Sequence, residues 1–181
     1  ELNLEDGIYG SVDGDADRSI FFTIKDKKMN KLYDGDTLSY IYLYYIINYC
    51  NIREEDICVV YTSYSNGGFV NHIKNIFPNV ILKCSKTGVK NCDKVARSSG
   101  KVGIYFENNG HGTVLKNENI DLKLVNYINP IVGDGVINIL LILSLLNVMN
   151  KNFKYFEFKK YNLSNYKISN VCNKDDYIND D

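Results

Sequence analysis

Three aspartates at alternate positions, Asp13-Gly14-Asp15-Ala16-Asp17, followed by Arg18, are the densest chemistry in this chain. The residues between them are the two smallest, so a short loop can turn all three carboxylates toward one point. Left bare they repel, by roughly 3 kcal/mol per pair at about 5 Å and an effective dielectric of 20. A hard divalent cation with oxygen ligands removes that cost. Mg2+ suits the cluster better than Ca2+, because so short a ligand set leaves coordination positions for water and a phosphate oxygen. A calcium EF-hand would need a small turn residue and a late carboxylate where this chain has Arg18 and Ile24. A phosphatase-type DxD followed by Thr or Val fails as well, because Asp17 stands there.

Two later stretches could meet a ligand. In Ser85-Lys86-Thr87-Gly88-Val89-Lys90, Gly88 lets backbone approach closely while Thr87 and Lys90 offer a hydroxyl and a cation. Phe106-Glu107-Asn108-Asn109-Gly110-His111-Gly112-Thr113 concentrates an acid, amides, an imidazole and a hydroxyl around tight glycine turns. Glu107 and Asn109 lie two apart; if the preceding strand continues they share a face and hold neighbouring sugar hydroxyls. His111 can carry a proton or donate to phosphate. His72 falls on an amphipathic helix and reads as structural. Asp34-Gly35-Asp36 reads as a turn plus helix N-cap, and Asp134 as the cap of a later apolar helix.

These residues need elements to position them. Strands are expected at 8–12 and 19–24, with a polar turn over 26–30. A helix capped by Asp36-Thr37 runs to Tyr49, carried by Leu38, Ile41, Tyr42, Tyr45, Ile46 and Tyr49 at spacings of three and four. Further strands are expected at 57–62, 80–84 and 101–106, and helices at 69–76, 89–97 and after Asp134. The apolar run from Val136 to Met149 is about 14 residues, short of the roughly 20 that span a bilayer, so it reads as a buried helix. Strands alternating with helices give an α/β fold with a mixed, mostly parallel sheet and flanking helices, with ligand loops beyond the carboxyl ends of strands. Residues 1–30 are expected to lack sheet partners, with fraying or an exposed edge there. Residues 151–167, alternating lysines with aromatics, read as a solvated connection.

Composition limits the partners. The 181 residues are 45% hydrophobic and 24% charged, with a formal net charge of -1. No global cationic field recruits nucleic acid or anionic lipid, and no membrane span is expected. The five cysteines, Cys50, Cys58, Cys84, Cys92 and Cys172, form no CxxC, which fits reduced thiols and a cytoplasmic setting. A chain beginning at Glu1, close to a strand, is expected to be an internal piece of something longer.

Taken in order, DGDADR at 13–18, YDGD at 33–36, KTGVK at 86–90, FENNGHGT at 106–113 and VGDGVINILL at 132–141 resemble the α-D-phosphohexomutase superfamily. The TGVK segment and the sugar loop are most similar to the phosphoacetylglucosamine mutase branch, whose loop typically reads FEANGHGT. Asn108 replaces the usual alanine there and leaves Glu107 and Asn109 in register. The resemblance implies that residues 1–30 close the second of four domains, 31–150 form the third, and 151–181 lead toward the fourth. The first domain, with a phosphorylated serine, and the fourth, with a phosphate-binding loop, have no counterpart in this sequence. Asp13, Asp15 and Asp17 are then expected to hold Mg2+ and Arg18 to contact phosphate. Glu107 and Asn109 would bind sugar hydroxyls, with Thr87, Gly88, Lys90, Gly110 and His111 around them. Lys90 and His111 are both candidates for the acid/base. The implied reaction interconverts N-acetylglucosamine 6-phosphate and 1-phosphate through a phosphoserine and a bisphosphate, toward UDP-N-acetylglucosamine, and the chain alone is expected to be inactive. A non-catalytic phosphosugar-binding module, and a phosphoglucomutase or phosphomannomutase of other specificity, are the alternative readings.

Overall fold

The computed structural model describes residues 4–118, 120–128 and 133–161. Val132, Cys172 and the 162–181 part of the expected connection lie outside the described residues.

Two sheets form. Strands β1 (Gly7–Val12), β2 (Ser19–Lys25) and β3 (Lys28–Tyr33) make an antiparallel sheet in that order. Strands β4 (Ile57–Thr62), β5 (Ile81–Ser85), β6 (Val102–Phe106) and β7 (Gly112–Lys116) make a second sheet in the order β5-β4-β6-β7. Its β4–β5 and β4–β6 pairs are parallel and β6–β7 is antiparallel, the mixed, mostly parallel sheet expected of an α/β fold.

Side-chain alternation divides this second sheet between two cores. Ile57 and Val59 of β4, with Val102, Ile104 and Phe106 of β6, face a large cluster shared with α1 (Gly35–Tyr49), α2 (Gly67–Ile76) and α4 (Gly135–Val148). Cys58, Val60, Tyr105 and Leu115 face a smaller cluster under Cys92 and Ala96 of α3 (Val89–Arg97). The result is a three-layer α/β/α unit, with the antiparallel sheet packed against α4 through Gly10 and Ile139.

Several expectations need correction. The polar turn expected over 26–30 is confined to Asp26 and Lys27, and 28–30 already belong to β3. Asp26 and Lys27 both adopt positive φ (52° and 60°), forming a tight hairpin into β3. Asp-Lys is an unusual pair for that geometry, and β3 is an edge strand with five of its six residues exposed, so it carries little hydrophobic signal. Residues 7–12 and 19–25 are therefore paired as strands, with β1 left as an edge of the sheet, rather than lacking partners. Helix α1 starts earlier than expected: its cap is Asp34, which accepts from Thr37 N, and Asp36 lies inside the first turn. The helix after Asp134 is only partly buried, because Val136, Leu140, Leu143 and Val148 stay exposed along one side.

The segment after α4 is likewise no solvated connection. A 3-10 turn over Phe153–Phe156 buries both phenylalanines, at 2% and 0% exposure. The Phe153 ring lies 4.7 Å from both Phe21 and Tyr33, and Phe156 packs edge-on to Tyr40 and Tyr44. Phe153 thus joins the two sheets' territories. Phe153→Ala is expected to cost about 3–5 kcal/mol, read as a shifted urea midpoint, with amides of β2 and β3 losing exchange protection before those of β4 and β6.

Candidate functional site

Strands β4, β5 and β6 run parallel, so the loops after Thr62, Ser85 and Phe106 emerge at one end of the sheet. The Lys86–Gly88 turn and the Glu107–His111 loop meet there: Gly88 N donates to Glu107 Oε1 at 2.8 Å. Gly88 is the residue before α3 and has φ +99°, a conformation that favours glycine.

The second loop is the turn of the β6–β7 hairpin, not a continued strand. Glu107 N donates to His111 O at 2.9 Å, and Gly110 N donates to Glu107 O at 2.7 Å. Glu107 and Asn109 therefore do not share a strand face. Glu107 reaches toward Gly88, while Asn109 lines a cleft of about 420 Å3 together with Asp13, Arg18, Ser19 and Asn108. The Asn109 side chain also accepts from His111 N at 3.0 Å, which fixes the loop's tip.

The acidic loop joins β1 to β2 and docks on that tip. Ser19 N donates to Gly110 O at 3.3 Å, and Arg18 and His111 form an isolated antiparallel bridge. Gly110 has φ +87°, and a Cβ there would strike the carbonyl of Ser19, so only glycine allows the approach. The ligand oxygens of Asp13, Asp15 and Asp17 all lie within 4.8 Å of one another. Arg18 Nε stands 3.3 Å from Asp13 and 3.5 Å from Asp17, and His111 Nε2 stands 3.5 Å from Asp17. The loop is shaped by Ala16, at φ 58°, whose carbonyl accepts from Gly135 N at 2.8 Å in the first turn of α4. Asp17 Oδ1 is buried without a hydrogen bond. An oxygen-only donor set this tight fits a hard cation such as Mg2+.

Lys90 is exposed in the first turn of α3, and the Thr87 carbonyl accepts from Asn91 Nδ2 at 2.7 Å. The structure adds residues that sequence reasoning passed over. Asp36 Oδ2 accepts from Asn66 N at 2.8 Å and from Asn108 Nδ2 at 3.2 Å, linking the start of α2 to the Glu107–His111 loop. The signal available was the aspartate pair in YDGD, of which a cap uses only one.

A family model described as Phosphoacetylglucosamine mutase AMG1, domain III, matches residues 34–127. The phosphoacetylglucosamine mutase of Saccharomyces cerevisiae is 30% identical over 170 residues, covering 80% of this chain and 30% of that protein. The probable phosphoacetylglucosamine mutase of Encephalitozoon cuniculi is 33% identical over 166 residues, covering 83% and 30%. Among solved structures, Aspergillus fumigatus N-acetylphosphoglucosamine mutase in complex with GlcNAc-6P and magnesium aligns with a TM-score of 0.73 at 27% identity, covering 83% of this chain and 35% of that one. An apo N-acetylglucosamine-phosphate mutase of the α-D-phosphohexomutase superfamily aligns at 0.74 with 26% identity, covering 88% and 36%. The chain spans about 30% of the length of these two curated relatives. With its acidic loop and sugar-loop sequence carried on that fold, the chain belongs to the phosphoacetylglucosamine mutase family of the α-D-phosphohexomutase superfamily.

Proposed function

We propose that this chain is the metal- and sugar-holding part of a phosphoacetylglucosamine mutase that interconverts N-acetylglucosamine 6-phosphate and 1-phosphate for UDP-N-acetylglucosamine synthesis. One observation carries the reading: the acidic triad and the Glu107–His111 loop are tied together around one cleft. A solved neighbour that holds GlcNAc-6P and magnesium supports it. Residues 1–30, 31–150 and 151–181 then belong to the second domain, the third, and the approach to the fourth, and the first and fourth domains of the parent complete the enzyme. The setting is cytoplasmic, in keeping with the free, buried thiols of Cys58 and Cys92. No helix of the described residues is long and apolar enough to cross a membrane.

Asp13, Asp15 and Asp17 would hold Mg2+, which when bound neutralises charge on the transferring phosphoryl group. Arg18, half-exposed at the cleft between Asp13 and Asp17, would pair with phosphate through its guanidinium. Glu107 and Asn109 grip sugar hydroxyls rather than phosphate, so the sugar binds in either of two orientations. The phosphoserine of the first domain donates its phosphoryl group, the bisphosphate turns over, and the other phosphate returns to serine. A neighbouring A. fumigatus structure that holds glucose 1,6-bisphosphate supports that step. His111 is the stronger candidate for the acid/base, because its ring stands beside the acidic loop while Lys90 faces solvent.

Nuclear magnetic resonance titration of the 181-residue chain tests this. N-acetylglucosamine 6-phosphate with Mg2+ is expected to shift amides of 13–18 and 107–111, with the plain glucose phosphate bound more weakly. Absence of any shift would remove the proposal, and equal binding of both sugars would remove its specificity. Asp15→Asn is expected to weaken Mg2+ binding by about tenfold or more, since even outer-shell losses cost that much. Asn109→Ala is expected to weaken sugar binding by about tenfold, the equivalent of one net hydrogen bond of roughly 1.4 kcal/mol. In a coupled mutase assay the chain alone is expected to give no turnover, and measurable turnover would overturn its inactivity in isolation.

A further inference from the structure

Asp36 takes no part in the chemistry proposed above, yet it is 1% exposed at the junction of three functional elements. Its Oδ2 accepts from Asn66 N, at the cap of α2, and from the Asn108 side chain in the sugar loop. Asn108 is pinned twice, because its carbonyl also accepts from Gly35 N at 3.3 Å. Asn108 lies between Glu107 and Asn109, so its anchoring governs how both are presented.

The remaining atoms of this junction do not balance. Asp36 Oδ1 and Asn108 Oδ1 are both buried, both acceptors, and both without a hydrogen-bond partner. If Asp36 is ionised the junction holds a buried charge and two orphaned acceptors. A single proton on the Asp36 carboxyl removes the charge and supplies a donor.

We propose that Asp36 works as a carboxylic acid, a positioning residue that clamps the sugar loop to the starts of α1 and α2 and releases it on deprotonation. The inference rests, for its bearing on catalysis, on the reading of Glu107 and Asn109 as sugar ligands. The surroundings agree with it. Burial and the neighbouring Asp34 push the Asp36 carboxyl up to about 7, against the opposing pull of Asn66 N–H, Ser65 and Lys160. Lys160 is engaged with Asp34, its Nζ lying 2.6 Å from Asp34 Oδ2. Asn108 is the polar side chain that faces Asp36 from the sugar loop. Because the folded chain holds this proton more tightly than the unfolded chain, the clamp is complete below the ordinary carboxylate range. Its contribution is lost as pH rises through about 7.

The test uses the isotope-labelled 181-residue chain without ligand. The Asp36 carboxyl carbon is expected to titrate near neutrality. Protection of the Gly110 and Asn66 amides, corrected for intrinsic exchange, is expected to fall about tenfold between pH 6 and pH 8. Asp36→Asn keeps an acceptor and adds a permanent donor, so protection in that variant is expected to stay level across the same range. Titration of Asp36 in the ordinary carboxylate range, or equal loss of protection in both proteins, would overturn the clamp. With N-acetylglucosamine 6-phosphate, Asp36→Asn is expected to match the wild type at the acidic end and bind several-fold more tightly at the alkaline end. If neither protein binds the sugar while the ligand-free titration behaves as described, the clamp stands and the sugar reading falls.

Discussion

Three carboxylates held within 4.8 Å of one another are the constraint around which this structure is arranged. Like charges at that spacing separate unless something holds them, and roughly 3 kcal/mol per pair favours separation at an effective dielectric of 20. The restraint comes from several directions. Ala16 turns the backbone through a positive φ, and α4 fastens the turn through Gly135 N. Arg18 and the His111 ring stand against the outer carboxylates. The loop is therefore a preorganised carboxylate cluster, in which much of the cost of assembling negative charge is met by folding.

The same restraint explains the role of α4. Its cap, Asp134, accepts from Ile137 N at 2.9 Å and starts the helix directly beside the acidic loop. One turn further, Asn138 accepts from the buried Tyr42 hydroxyl at 2.9 Å and stands 3.4 Å from the Gly112 carbonyl. Tyr42 in turn stacks on Phe106, the last residue before the sugar loop. A chain of packed rings and hydrogen bonds thus runs from the helix that supports the acidic loop to the strand that launches the sugar loop. Both loops are mounted on rigid elements, so the cleft between them has a defined shape.

Close backbone approaches complete the arrangement. The Gly110 carbonyl and Ser19 amide meet directly, and Gly35 sits so near the Glu107 carbonyl that a side chain there would collide with it. Loops brought together through main chain move together, which ties the acidic loop, the sugar loop and the α1 start into one body.

Much of this was legible in the sequence. Alternating aspartates separated by small residues announced the tight carboxylate cluster, apolar spacing of three and four located α1, and short apolar runs located β4 and β6, because local sterics and apolar patterning act within a single segment. The hairpin strand β3 was hidden by its charged, exposed residues, and the burial of Phe153 and Phe156 by the lysines around them. Glu107 and Asn109 were identified as a pair, yet their divergence toward Gly88 and the cleft followed from the hairpin turn. Asp36 looked like a cap until Asn66 and Asn108, 30 and 72 residues away, closed around it. Residue types and spacing by themselves determined which reactive groups this chain carries and in what order along it. Tertiary structure alone decided which charges are buried together and which loops touch, since burial and dielectric depend on segments far apart in the chain.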